Sequence, residues 1–268
     1  MNIKKLPLLS IIMAALLVSL GCAVTNFSID TVTVGELKNE SQTVELGDAE
    51  QVRVYIKMGV GDLKVDTGTD ALMEADFTYN VADWKPEVTY EVIDGNGRLN
   101  VRQPRLEQIS MRSDARYKWK LAFNEEVPLD MRIEHGAGSG DIDVGDLNVT
   151  QLDIKLAAGD FTIDLSGNQS LQHLELDMGA GDVTVDLNGD WKENVNVDYQ
   201  GGLGQTTLRL PKDIGVYITV NKALGSVNTN GLSKRGDAYV NEAYGKSDIT
   251  LEINIQAGIG QINLEVVD

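Results

Sequence analysis

The sequence predicts an all-β protein of the β-solenoid type, in which repeats of about 20 residues stack as strand, glycine corner and strand. A short phrase built around Gly-x-Gly or Ala-Gly-Asp recurs seven times along the 268 residues. Hydrophobic residues alternate with polar ones on both sides of each corner, which is the period of strands with one buried face. Glycine is also abundant, with 27 residues, and this favours many tight corners.

The first predicted element is a signal peptide over residues 1–21. Lys4 and Lys5 precede an apolar run, and Gly21 stands before Cys22, the only cysteine. The run has the length of a signal-peptide core and is short for a membrane span. The segment Val18-Ser-Leu-Gly-Cys22 resembles a bacterial lipobox, which implies that Cys22 carries lipid as the first mature residue. The alternative is an ordinary leader with a chance cysteine.

Three further regions follow along the chain. Residues 22–50 are polar with weak periodicity and are predicted to form a lipidated tether. Residues 51–128 contain strand patterns that interrupt the repeat spacing, so they are predicted to form a small β-rich N-terminal domain. Residues 129–268 are predicted to form the solenoid repeats. Their last strand exposes an edge, which makes self-association through the terminal rung an expectation.

One glycine in each repeat is predicted to form the corner. Neighbouring rungs lie about 4.8 Å apart, and a sharp bend often requires the positive φ that glycine accepts without a Cβ penalty. The predicted corner glycines are Gly61, Gly140, Gly159, Gly181, Gly204, Gly225 and Gly260.

Three landmarks stand between and before the later glycine corners: Met58-Gly-Val-Gly-Asp-Leu-Lys-Val, Trp84-Lys-Pro and Val127-Pro-Leu-Asp. In this order, the landmarks and the repeats resemble the toast-rack family of bacterial β-solenoid domains. The resemblance covers most of the mature chain. It implies a solenoid related to the C-terminal region of cell-wall-active antibiotic response proteins and to adhesin-like proteins. It implies no established active site.

Charge and acidic residues narrow the classes of partner. The net charge of −18 argues against nucleic acid and against attachment to anionic lipid by charge. Asp141, Asp160 and Asp182 follow corners in consecutive repeats and could share a Ca²⁺ ion. Aspartate also suits tight turns without any metal, and Ca²⁺ requires six or more oxygen ligands. We therefore expect no resident cofactor, with Ca²⁺ as the alternative.

Candidate catalytic residues are sparse. His135 and His173 are the only histidines and are interpreted as outward-facing, and no Gly-x-Ser-x-Gly elbow occurs. Paired acids for glycoside cleavage stay an alternative, since any two aspartates could lie at the required separation. Trp84 and Trp119 are interpreted as a core that seals one end of the solenoid, in preference to an exposed aromatic binding surface.

The sequence as a whole predicts a lipid-anchored protein of the cell envelope, outside the cytoplasm, that acts as a non-enzymatic scaffold or binding and adhesion module. The expected partners are the membrane through the N-terminal lipid, and an envelope protein or wall polysaccharide. A second hypothesis, implied by the resemblance to antibiotic response proteins, is an envelope-stress sensor that works through a membrane partner. A polysaccharide-active enzyme is the third.

Overall fold

The computed structural model describes residues 33–104, 114–189 and 191–267. Within these ranges the protein is almost entirely β-structure, with one short 3-10 turn at Ala82–Trp84. The strands are β1 Val34–Val44, β2 Gln51–Thr67, β3 Met73–Val81, β4 Glu87–Ile93, β5 Asn96–Arg102, β6 Tyr117–Phe123, β7 Leu129–Asp143, β8 Val149–Asp164, β9 His173–Asp186, β10 Val195–Pro211, β11 Gly215–Asn230, β12 Ser233–Arg235, β13 Ala238–Val240 and β14 Thr250–Val267.

The seven longest parallel strands stack in the order β2-β7-β8-β9-β10-β14-β11 within one sheet. Their register pairs equivalent residues of successive repeats, so that Gly138 lies between Gly61 and Gly159. Each of these strands has 14 to 18 residues and runs without interruption through its bend. The predicted all-β, solenoid-like stack is confirmed, and each strand–corner–strand repeat is one bent strand.

Each long strand buries the same face on both sides of its bend. In β8 the buried residues include Ile154 and Leu156 before the bend, and Phe161 and Ile163 after it. A straight strand buries every second residue, so this spacing shows that the alternation reverses between Leu156 and Phe161. Because of this reversal, the two halves of every strand contribute to a single hydrophobic core.

The chain order of the strands differs from their spatial order at the C-terminal end. β14, the last strand in sequence, lies between β10 and β11. The inward residues of β14, such as Ile253 and Leu264, are apolar and fully buried, and they require neighbours on both sides. β11 places Lys222 and Thr229 at the matching inward positions, where β14 has Ala257 and Leu264. β11 is therefore better suited to the end of the stack.

The opposite end of the stack is closed by aromatic residues. The first half of β2 pairs with β5, while the second half pairs with β6, which continues through β3 to β1. Trp84, Tyr117, Trp119 and Phe77 are buried there and make edge-to-face contacts. The interpretation of Trp84 and Trp119 as a sealing core is confirmed.

Part of the predicted tether is folded. Residues 34–44 form β1, which pairs antiparallel with β3 from Val34 to Val44. The weak periodicity of the sequence marks only the ends of this strand, at Asp30 to Val34 and at Gln42 to Leu46, because its burial is slight on both faces, as is typical of an edge strand. The predicted signal peptide and Cys22 lie outside the described residues.

Candidate binding surface

One column of glycines allows the bends to stack. The column consists of Gly61, Gly138, Gly159, Gly181, Gly204, Gly260 and Gly225. Six of the seven have positive φ, Gly260 being the exception. A Cβ on Gly181 would lie 1.9 Å from the carbonyl oxygen of Gly159, and similar collisions occur along the column. The backbones therefore pack in the space that any side chain would occupy.

The corner predicted at Gly140 is wrong by two residues. The register places Gly138, with φ +143°, in the column, whereas Gly140 pairs with Leu63 and Phe161 on the inward face. Gly140 has a packing role, because a Cβ there would lie 2.5 Å from the Phe161 ring. Two overlapping Gly-x-Gly phrases in this repeat caused the error, and the burial of Phe161 beside Gly140 resolves it.

The same slip removes Asp141 from the predicted acidic row. Asp160 and Asp182 are neighbours, and Ser139 takes the place assigned to Asp141, which instead lies between Lys64 and Thr162. Asp182 accepts a hydrogen bond from the backbone nitrogen of Gln205 at 2.9 Å. Among the described residues, no group of three or more His, Cys, Asp or Glu side chains is placed to hold a metal ion.

A second row of aspartates forms hydrogen bonds with the backbone of the loops that connect one rung to the next. Asp143, Asp164 and Asp186 each accept a hydrogen bond from the backbone nitrogen two residues further on, at 3.2, 2.8 and 2.9 Å. This contact between a side chain and the backbone is the Asx turn that is common in short loops. Burial, together with the neighbouring carboxylates of Asp164 and Asp66, raises the pKa of Asp143. The row is structural.

Charged side chains on the first half of the early rungs pair with one another. Lys57 contacts Glu134 at 2.8 Å, Arg132 contacts the other oxygen of Glu134 at 2.8 Å, and Lys155 contacts Asp177 at 2.9 Å. Burial opposes the charge on Glu134, but the hydrogen bonds from Lys57, Tyr55 and Arg132 prevail and bring its pKa to about 2. The charges on this face thus compensate one another locally.

His135 is buried, so its interpretation as an outward residue is wrong. It occupies the inward column of Met58 and Leu156 and is 2% exposed. Its Nε2 lies 3.1 Å from the carbonyl oxygen of Gly61, which can only accept, so this nitrogen carries the proton of the neutral ring. Burial lowers the pKa of His135 to about 4, despite the hydrogen bond and the nearby charge of Asp62. His173 is exposed.

An exposed apolar ridge runs across the last three rungs. Leu203, Ile259 and Leu224 are adjacent in the register, directly before the bend glycines, and are 55%, 50% and 63% exposed. The same column in the earlier rungs holds only smaller side chains: Val60, Ala137, Ala158 and Ala180. Sequence reasoning missed this ridge, although its signal is the residue that precedes each bend glycine.

A shallow groove runs beside the ridge. It has a volume of about 600 Å³, and its floor includes the small residues Gly202, Gly258 and Ala223. Gln200, Gln256 and Asn221 also line it, together with two charged residues, Asp177 and Lys222. Ridge and groove lie on neighbouring positions of the same three strands. The ridge is the largest cluster of exposed large apolar side chains in the described part of the chain.

No helix among the described residues is long and apolar enough to cross a membrane.

The chain resembles known proteins in both sequence and structure. The family model for the N-terminal domain of toast_rack matches residues 33–172 and 168–209. A candidate cell adhesion protein from Clostridium sporogenes is 32% identical, with a TM-score of 0.66 over 87% of this chain and 100% of that chain. A candidate adhesin from Bacteroides fragilis is 13% identical, with a TM-score of 0.35 over 85% of this chain and 97% of that chain.

No curated protein matches the chain. The family model spans well over half of the residues, and the Clostridium sporogenes protein is matched over its whole length. The chain therefore belongs to the toast-rack family.

Proposed function

We propose that this protein is a non-enzymatic binding and adhesion module of the cell envelope, held to a membrane by lipid on Cys22. The observation that carries the proposal is the exposed ridge of Leu203, Ile259 and Leu224 at one end of the stack. Clustered apolar side chains at the surface of a charged protein are typical of interaction sites. The similarity to a candidate cell adhesion protein supports the same class of function.

The position of the ridge supports display away from the membrane. β1 begins at Val34, so at most about 40 Å of extended chain separates it from Cys22. β1 lies at one end of the stack and β11 at the other. The strands between them span about 40 Å at 4.8 Å per strand. A chain from Cys22 would therefore join the stack at the end opposite the ridge.

The proposal is tested with the full-length chain purified in detergent and washed envelopes of the source cells, from which the native protein has been deleted. We expect saturable binding that unlabelled protein displaces. Binding that rises linearly with concentration and is not displaced would contradict a binding module.

A further inference from the structure

The surface around the bend changes from charged to uncharged between β9 and β10. In the row that borders the groove, the early rungs carry charged residues and the last three carry amides: Lys57, Glu134, Lys155 and Asp177, then Gln200, Gln256 and Asn221. In the row after the bend the change is similar: Asp62, Ser139, Asp160 and Asp182, then Gln205, Gln261 and Ser226.

The apolar ridge lies between these two uncharged rows. We call the nine residues the distal bend surface: Leu203, Ile259, Leu224, Gln200, Gln256, Asn221, Gln205, Gln261 and Ser226. The lysine beside it, Lys222, occupies an inward position of the last rung and donates to the carbonyl oxygen of Gly225. An uncharged surface of this extent is distinctive on a chain with a net charge of −18.

The amides along the groove are available to a ligand. Within the described ranges, the side chains of Gln200, Gln256 and Asn221 are exposed and make no hydrogen bond to another residue. Each offers two donors and one acceptor oxygen, and the rows repeat at the strand spacing of about 4.8 Å. A ligand with a repeated pattern of hydroxyl groups would match such a row.

We propose that the distal bend surface binds an uncharged glycan chain; this assignment rests on the proposed function. A sugar ring presents C–H groups that can pack on the ridge, and its hydroxyl groups can exchange hydrogen bonds with the amides on either side. None of the nine residues carries a charge, Lys222 is the one cation among the described residues that line the groove, and the net negative charge of the chain would repel an acidic polymer.

Two other ligand classes fit the surface less well. An extended peptide that adds to a sheet would pair with the outer edge of β11 at the border of the surface, whereas β10 and β14, which carry most of the surface, are paired on both edges. An anionic membrane is disfavoured by the net negative charge of the chain.

The test uses the full-length chain in detergent and protease-treated polysaccharide from the source cells' envelope, separated by anion exchange into neutral and acidic fractions. We expect saturable binding of the neutral fraction. The triple variant Leu203→Ala, Ile259→Ala, Leu224→Ala should bind at least tenfold more weakly, with an unchanged melting temperature because the three side chains are exposed. Leu37→Ala with Ile93→Ala is the matched control, since these are exposed apolar residues in β1 and β4.

The outcomes separate this assignment from the general function. Failure of the neutral fraction to bind, or equal binding by the triple variant and wild type, would overturn the glycan assignment. If the triple variant instead loses capture of an envelope protein or of liposomes, the ridge is a binding surface for that partner and the glycan assignment falls. If washed envelopes show no saturable binding at all, the proposed function itself is contradicted, and the glycan assignment falls with it.

Discussion

At the scale of single residues, the stack depends on the hydrogen atom that each bend glycine carries in place of a side chain. The carbonyl oxygen of Gly159 fills the space where a Cβ of Gly181 would be, and Gly138 and Gly159 stand in the same relation. Positive φ at these residues adds a backbone demand that other residues meet only at a cost. Steric exclusion and backbone conformation thus select the same residue type.

Substitution of Gly181 tests this demand. Gly181→Val should lower the free energy of unfolding by about 3 kcal/mol or more, because it combines a backbone collision with an unfavourable φ of +121°. Thermal unfolding followed by circular dichroism should show a melting temperature lower by about 10 °C. Ala180→Leu is the control, since Leu203 occupies the same column. An unchanged melting temperature for Gly181→Val would contradict the packing described at the bend.

His135 makes stability depend on pH. Its folded pKa of about 4 lies below the ordinary value of 6.5, so protons bind the unfolded chain preferentially between these values. Stability is therefore full above pH 6.5 and falls as the pH decreases towards 4, by about 2 kcal/mol between pH 6.5 and 5. Urea unfolding at several pH values measures this loss.

Replacement of the ring should remove that part of the pH dependence. His135→Leu places at this position the residue found in the next rung, Leu156, and should unfold at nearly equal urea concentrations at pH 6.5 and 5. His173→Gln, at an exposed position, should behave as wild type. A His135→Leu protein that loses stability as steeply as wild type would show that other groups cause the effect.

The correct and the incorrect predictions of single residues have the same physical cause. Alternation predicts the inward residues of a strand well, but it reverses at every bend, so the exact bend position matters. Two overlapping Gly-x-Gly phrases around Gly138 and Gly140 moved the bend by two residues and carried Asp141 with it. His135 is interpreted from the sequence as alternating with the core residues, whereas it keeps the phase of Met131 and Ile133 and is buried with them.

At the scale of elements, β11 is built as the last rung. Among the described residues, its outer edge pairs with β13 only from Tyr217 to Thr219, so no described strand pairs with that edge from Val220 to Asn230. Lys222, at an inward position, places a charge where a further rung would pack. Inward charges of this kind discourage edge-to-edge association. The insertion of β14 between β10 and β11 could not be predicted from the repeat spacing, because both strands carry the same phrase.

Removal of that charge should promote association. Lys222→Leu should shift the full-length protein in detergent towards dimers in sedimentation velocity experiments at micromolar concentration, because the terminal edge would then be apolar as well as unpaired. Lys222→Arg keeps the charge and should sediment like the wild type. A Lys222→Leu protein with unchanged sedimentation would show that the lysine does not protect this edge.

At the scale of the whole molecule, the stack has two different ends. At the end that contains β1, buried aromatic residues cover the core and the rungs carry charged side chains. The end that contains β11 carries the uncharged distal bend surface. The repeat pattern predicted the stack itself. It could not predict the different ends, because these depend on which neighbours each repeat acquires and which side chains stay uncovered.

Anchoring is tested by fractionation of cells. Cys22→Ser should move the protein from the membrane pellet to the soluble fraction, because the thiol is the attachment point of the proposed lipid. Ser19→Ala, a neighbouring substitution that keeps the cysteine, should leave the protein in the pellet. A Cys22→Ser protein that still sediments with membranes would contradict lipid anchoring at this residue.

Photo-crosslinking in living cells tests most directly whether the partner contacts the end of the stack that carries the distal bend surface and not the end that contains β1. A photo-reactive amino acid is placed at Leu224 in one full-length protein and at Leu37 in another, both exposed positions at opposite ends of the stack. We predict that position 224 crosslinks to envelope material other than lipid and that position 37 does not. Crosslinks to such material from position 37 alone, or equally from both positions, would contradict the account.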